Sequence, residues 1–205
     1  MSKLFMVRHG DTELNSAERY WGQTDVELSA AGLKQAERLS KRLAAEKIDA
    51  IYSSDLRRAL ITAKTIASKH QLDVITCAEL REVNFGELEG LTFGEVSQLY
   101  PEVAELWARG STKLKYPGGE SLEELNSRVG KFLVRLKKHA PESTVLIAAH
   151  SGVLRTLICQ LLGIGLRHLR QFRLDFASLS VLETYPQGTI INLLSDTSHL
   201  KGTVE

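Results

Sequence analysis

The sequence predicts an α/β fold, three layers deep (α/β/α) around a mostly parallel sheet. Short β-branched runs alternate with longer segments of helical spacing, which is the order of strand–helix–strand units. Thr144 to Ala149 is an unbroken run that reads as a fully buried strand. The last two strand-like runs are joined by a short turn at residues 186–188, so at least one edge is expected to be antiparallel.

Each element has its own signal. Leu4 to Arg8 reads as the first strand, and behind Ser29, a helix cap, Leu33, Ala36, Leu39 and Leu43 recur at helical spacing. Ala50 to Ser53 is the second strand. Ala59, Leu60, Ala63, Ile66 and Ala67 then mark one face of a helix ending near His70, and Val74 to Cys77 is the third strand. Thr92 with Glu95 and Ser121 with Glu124 fit capping boxes, in which hydroxyl and carboxylate satisfy the free amides of a helix start. After the second box, Leu122, Leu125, Val129, Phe132 and Leu136 form an apolar stripe that Pro141 ends. Gly152 to Leu162 is helical, and Ser178 to Tyr185 and Thr189 to Leu194 form the closing hairpin. Residues 92–120 interrupt the rhythm and are expected to be a helical lid or insertion within a single domain spanning residues 1–205.

Composition narrows the function. In 205 residues, 26 Lys and Arg face 25 Asp and Glu, so no global field recruits nucleic acid or anionic membranes, and any anion selectivity must be local. The opening MSKLFMVRHG has its apolar run cut by Arg8 and His9, too short for a secretory core or a membrane span, and a cytoplasmic address is expected. Cys77 and Cys159 lie in apolar stretches and read as reduced, buried small hydrophobes.

In open α/β sheets ligands bind beyond the carboxyl ends of the strands. Polar residues collect at four such places: Arg8-His9-Gly10, Ser53-Ser54 with Arg57 and Arg58, Leu80-Arg81-Glu82, and His150-Ser151-Gly152. Two imidazoles, at least two guanidiniums and a carboxyl group suit a bound phosphate dianion, and no acidic cluster nearby is spaced to hold magnesium. Arginine forks match phosphate oxygens, so Arg8 and one of Arg57 and Arg58, by its register Arg58, are candidate clamps. A neutral imidazole is a competent nucleophile near pH 7, so one histidine could take the phosphoryl group while the other stabilises its oxygens. Glu82 is placed to protonate the leaving alkoxide and then activate water. His70, His139, His168 and His199 read as structural, as do Glu87, Glu89 and, by packing, Trp107.

The motifs RHGDTELN (8–15), SSDLRRALITA (53–63), LREVNFGELEG (80–90), PGGES (117–121) and AHSG (149–152) occur in this order, and by them the chain resembles the histidine phosphatase superfamily, the phosphoglycerate mutase-like proteins, over nearly all its length. The resemblance implies a phosphohistidine on His9, phosphate clamping by Arg8 and Arg58, proton donation by Glu82 and a second phosphate-facing histidine, His150. It also suggests that Asn15, Trp21, Gly22, Gln23 and Ser151 line the pocket. No metal or cofactor is implied, the partner is a small-molecule phosphate ester, and the chain is expected to be a monomer or homodimer.

The short spacing between LREVNFGELEG and PGGES resembles the phosphatase branch, because the cofactor-dependent mutases insert arginine-rich residues there. RYWGQTDVELS and FRLDFASLSVLE carry a further likeness to alpha-ribazole phosphatases, which make a cobalamin precursor; broad-specificity phosphatases share much of it. Trp21 where Gln is common, Leu88 where Trp is common and Ser151 where Gly is common depart from the family pattern, at positions that shape the pocket. A phosphoglycerate mutase and a catalytically inactive phospho-ligand-binding protein are the alternatives.

Overall fold

The computed structural model describes residues 2–14 and 19–201. Six strands form one sheet: β1 (Ser2–Arg8), β2 (Ala50–Ser53), β3 (Val74–Thr76), β4 (Thr144–Ala149), β5 (Leu179–Tyr185) and β6 (Gly188–Asp196), in the order β3-β2-β4-β1-β5-β6. β3, β2, β4 and β1 run parallel, while β5 is antiparallel to both β1 and β6. The predicted hairpin is therefore present, and it supplies one edge of the sheet.

Alternation along the strands builds two apolar layers, because successive side chains point to opposite faces. Phe5, Val7, Ile51, Leu146 and Ala148 pack with Leu39 and Leu43 of α1 (Ala30–Leu43) and with Ala63 and Ile66 of α2 (Arg57–Ala67). On the other face Leu4, Met6, Tyr52, Val145, Ile147 and Ala149 pack with Leu125, Val129 and Phe132 of α5 (Leu122–Leu136) and with Val153, Leu154 and Leu157 of α6 (Ser151–Leu162). The result is the expected three-layer arrangement. Among the described residues no helix is long and apolar enough to cross a membrane.

Both capping boxes form: Thr92 opens α3 (Phe93–Leu99) and Ser121 opens α5, each with its N3 glutamate bonded back to the cap amide. α3 and α4 (Pro101–Ala108) make up the helical part of residues 92–120, and a Pro at the first position of α4 starts it without wasting an amide. Two expectations are corrected. Leu33 does not join the buried stripe of α1; it is 45% exposed, because the helix turns its face through Ala36, Leu39 and Leu43. α2 ends at Ala67, and residues 68–71 leave it as turn rather than helix. Cys77 and Cys159 are both buried and free.

Candidate active site

β1 and β4 are neighbours, but the chain leaves them for opposite faces of the sheet, β1 toward α1 and β4 into α6. A crevice opens at such a switch point beyond the carboxyl ends of the strands. His9 and His150 stand there, one residue past each strand, with the His9 amide bonded to the Ala149 carbonyl at 3.0 Å and ring centroids 5.0 Å apart. Both are buried, His150 completely.

The tautomer of His9 follows from its partner. Its Nδ1 lies 2.7 Å from the Gly10 carbonyl oxygen, which can only accept, so Nδ1 carries the proton and Nε2 keeps its lone pair. Burial, and then the positive charges of Arg58 and Arg8, hold the His9 pKa well below the ordinary imidazole value. His150 is held low by burial, Arg58 and His9. Its Nε2 lies 2.9 Å from Ser54 Oγ, whereas its buried Nδ1 has no partner among the described residues.

The two arginines are fixed by backbone oxygens that leave donor capacity over. Arg58, 1% exposed at the start of α2, donates to Gly22 O at 2.6 Å and Thr24 O at 2.9 Å. Arg8 donates to Leu174 O at 2.6 Å and stacks 3.6 Å from the Phe176 ring centroid, while its buried Nε is without a partner. Burial lowers the Arg8 pKa to about 10, so the guanidinium still carries its charge at neutral pH. With the Ser54 hydroxyl donating to Nε2, His150 Nδ1 carries the ring proton, and it and Arg8 Nε are then two buried donors that an oxyanion would satisfy.

Glu82 does not sit at a strand end, as expected, since β3 stops at Thr76 and a 3-10 turn at residues 78–80 intervenes. It is placed by other elements. Its carboxylate accepts from the Val83 amide at 2.9 Å and from the Gly152 amide, in the first turn of α6, at 3.1 and 3.2 Å. Gly152 is required here, because a Cβ would lie 2.6 Å from both Glu82 Oε1 and Val83 Cγ2.

The main chain beneath Glu82 is gripped by Arg128 of α5. That side chain donates to the carbonyls of Glu79, Arg81 and Glu82 at 2.8, 2.7 and 3.2 Å and pairs with Glu120 at 2.6 Å. Glu120 in turn accepts from the Asn84 amide. The pair is largely buried, so removing one partner strands a charge. Arg128→Leu is expected to cost about 3 kcal/mol in denaturant unfolding and to slow esters with poor leaving groups. Unchanged stability and rates would remove this role.

The remaining predicted residues divide. Gly22 and Gln23 border the site: Gly22 has its carbonyl on Arg58, and Gln23 Nε2 donates to Glu82 O at 3.3 Å. A Cβ on Gly22 would meet Val83 O at 2.3 Å. Ser151 opens α6 and is half-buried. Trp21 has its indole donating to Leu14 O and its ring beside Gly90. Asn15 lies outside the described residues. Arg57 is solvent-facing and pairs with Asp25 and Glu27, which leaves Arg58 as the member of the pair that faces the site. Glu89 is structural, bonding the Gln23 and Thr24 amides at 2.8 Å and so fixing the loop that holds Arg58.

Several contributors were given no role by the sequence reading. Ser54 and Thr62 orient His150 and the Gly10 amide, Phe176 and Leu174 hold Arg8, and Arg128 with Glu120 supports Glu82. Ser54 and Phe176 lie inside the quoted motifs and could have been singled out. Nothing in the polar register of α5 marks Arg128 as different from its neighbours.

Because His9 and His150 resist protonation in the folded state, the unfolded chain binds protons more readily below pH 6.5, the ordinary histidine value. Their contribution to stability is therefore present above that pH and lost as pH falls through it. Each contributes up to about 1.4 kcal/mol per pH unit. Urea unfolding at pH 7.5, 6.5 and 5.5 should show this slope, and His150→Gln should flatten it.

A crevice at the switch point of an α/β sheet, holding a neutral imidazole beside charged donors, has the make-up of an oxyanion-binding site. Among the described residues no three His, Cys, Asp or Glu side chains converge as metal ligands. The chain belongs to the histidine phosphatase superfamily (branch 1), whose family model matches residues 4–197. It is 38% identical over 200 residues to phosphoserine phosphatase 1 of Hydrogenobacter thermophilus, covering 98% of this chain and 95% of that one. A putative alpha-ribazole-5'-P phosphatase from Escherichia coli superposes with a TM-score of 0.88 at 29% identity, covering 95% of this chain and 96% of that one. A mutant phosphoserine phosphatase from Entamoeba histolytica, in complex with phosphoserine, also gives 0.88, at 28% identity over 98% of this chain and all of the other.

Proposed function

We propose that this protein is a phosphomonoesterase that hydrolyses small-molecule phosphate esters through a phosphohistidine on His9. The observation that carries the reading is the His9 Nδ1 bond to Gly10 O, which presents a neutral Nε2 among Arg8, Arg58 and His150. In the first step Nε2 attacks phosphorus and the P–O bond to the leaving group breaks. Glu82 gives that oxygen its proton, so the alcohol leaves neutral. In the second step the Glu82 carboxylate takes a proton from water, the resulting hydroxide attacks phosphorus, and the P–N bond breaks to return His9. Arg8, Arg58 and His150 Nδ1 hold the equatorial oxygens, whose charge is spread in the transition state.

Both steps run on side chains already in the site. Hydrolysis of p-nitrophenyl phosphate is therefore expected to persist in excess EDTA, and full loss of activity with chelator would sink the metal-independent reading. For the natural ester, the RYWGQTDVELS and FRLDFASLSVLE runs and the E. coli structure favour alpha-ribazole 5'-phosphate, while the H. thermophilus and E. histolytica relatives favour phosphoserine. A panel containing both, with rates compared as kcat/KM, separates them.

A further inference from the structure

Arg155 lies one turn along α6 from the residues that hold the Glu82 carboxylate, within electrostatic reach of both Glu82 and Arg8. It lines a recess of about 320 Å³ with Tyr20, Phe93, Trp107, Ala108 and Arg170. Arg170 comes from the 3-10 turn at residues 166–171, and its guanidinium stands 5.8 Å from the Trp107 ring centroid. Tyr20 and Trp107 pack with ring centroids 4.6 Å apart. Among the described residues neither arginine has a salt-bridge partner, and the buried Nε of Arg155 has no hydrogen-bond partner at all.

A buried guanidinium nitrogen is expensive to leave unmatched, and Arg155 Nε is buried, whereas Arg170 is exposed at the rim of the recess. Arg8 and Arg58 match the two charges of a phosphate dianion, and a Glu82 that carries the proton it will give is neutral and offsets neither of the other two arginines. The charges of Arg155 and Arg170 are left over on the Glu82 side, where the leaving group must lie if Glu82 protonates it. From this geometry we infer that Arg155 and Arg170 form a leaving-group subsite for a carboxylate, making carboxylated phosphomonoesters the preferred substrate class. The planar guanidinium forks match the two oxygens of a carboxylate. α-Ribazole 5'-phosphate carries no carboxylate and would gain nothing from this subsite.

The inference rests on the phosphohistidine reading, and matched esters separate the two. The kcat/KM values of O-phosphoserine against O-phosphoethanolamine, and of 3-phosphoglycerate against glycerol 3-phosphate, are compared in the wild type and in the Arg155→Met/Arg170→Met variant. The carboxylated member of each pair is expected to lead by at least about ten-fold in the wild type. In the double variant the ratio should fall to within about two-fold of one, with Arg155→Lys keeping part of the preference. A wild-type ratio near one, or a ratio that survives in the double variant, overturns the subsite while leaving the phosphatase intact. Failure of the wild type to hydrolyse p-nitrophenyl phosphate would instead remove the phosphomonoesterase reading, and this inference with it.

Discussion

His9→Ala is expected to lower kcat on p-nitrophenyl phosphate by about 10⁴-fold or more, because the covalent step has no second group to carry it. His150 cannot substitute: its Nε2 is engaged with Ser54, and its free Nδ1 is placed as a donor to phosphate rather than as a nucleophile. The fold should survive, since His9 fills little of either apolar layer and its ring bonds only the adjacent carbonyl. Phosphate esters should still bind to the variant through Arg8 and Arg58. Near-normal turnover in a folded His9→Ala protein would refute the assignment.

Glu82→Gln should split substrates by leaving group. A carboxamide still accepts from the Val83 and Gly152 amides, so the loop geometry is kept, but it has no proton to give. For alkyl phosphates, whose alkoxides are strongly basic, kcat/KM should drop by about 10³-fold. For p-nitrophenyl phosphate, whose phenolate leaves without help, the first step needs little assistance and kcat/KM should fall by less than about ten-fold. A uniform loss across both esters would make Glu82 a binding group rather than an acid. The same experiment on Arg128→Leu should show a milder version of the split, because that arginine acts only through the placement of Glu82.

Local signals made much of this legible before any coordinates. Capping boxes at Thr92 and Ser121 depend on residues three apart, and they formed as read. Strand runs such as Thr144–Ala149 are defined by unbroken apolarity, and its bounds match. The pairing of His9 with His150 followed from their positions immediately past two strands, because parallel neighbours bring such residues together whatever the loops do. Glu82 was chosen for a strand end it does not occupy; α5 and α6 carry its loop back to the crevice, through contacts 46 and 70 residues apart in sequence. Long-range grips of that kind leave no periodic trace, and this is why Arg128 went unnoticed. Leu33 shows the converse: helical spacing alone does not say where an apolar stripe begins.

The most direct measurement is to quench the wild-type enzyme during turnover of a phosphate ester, keep the digest alkaline, and locate the phosphoryl group by mass spectrometry. The phosphoryl mass should be found on the peptide containing His9, should disappear after brief acid treatment, and should be missing from His9→Ala. Turnover with no phosphoryl group on His9 under these conditions, or an acid-stable phosphoryl group on another residue, would contradict the account.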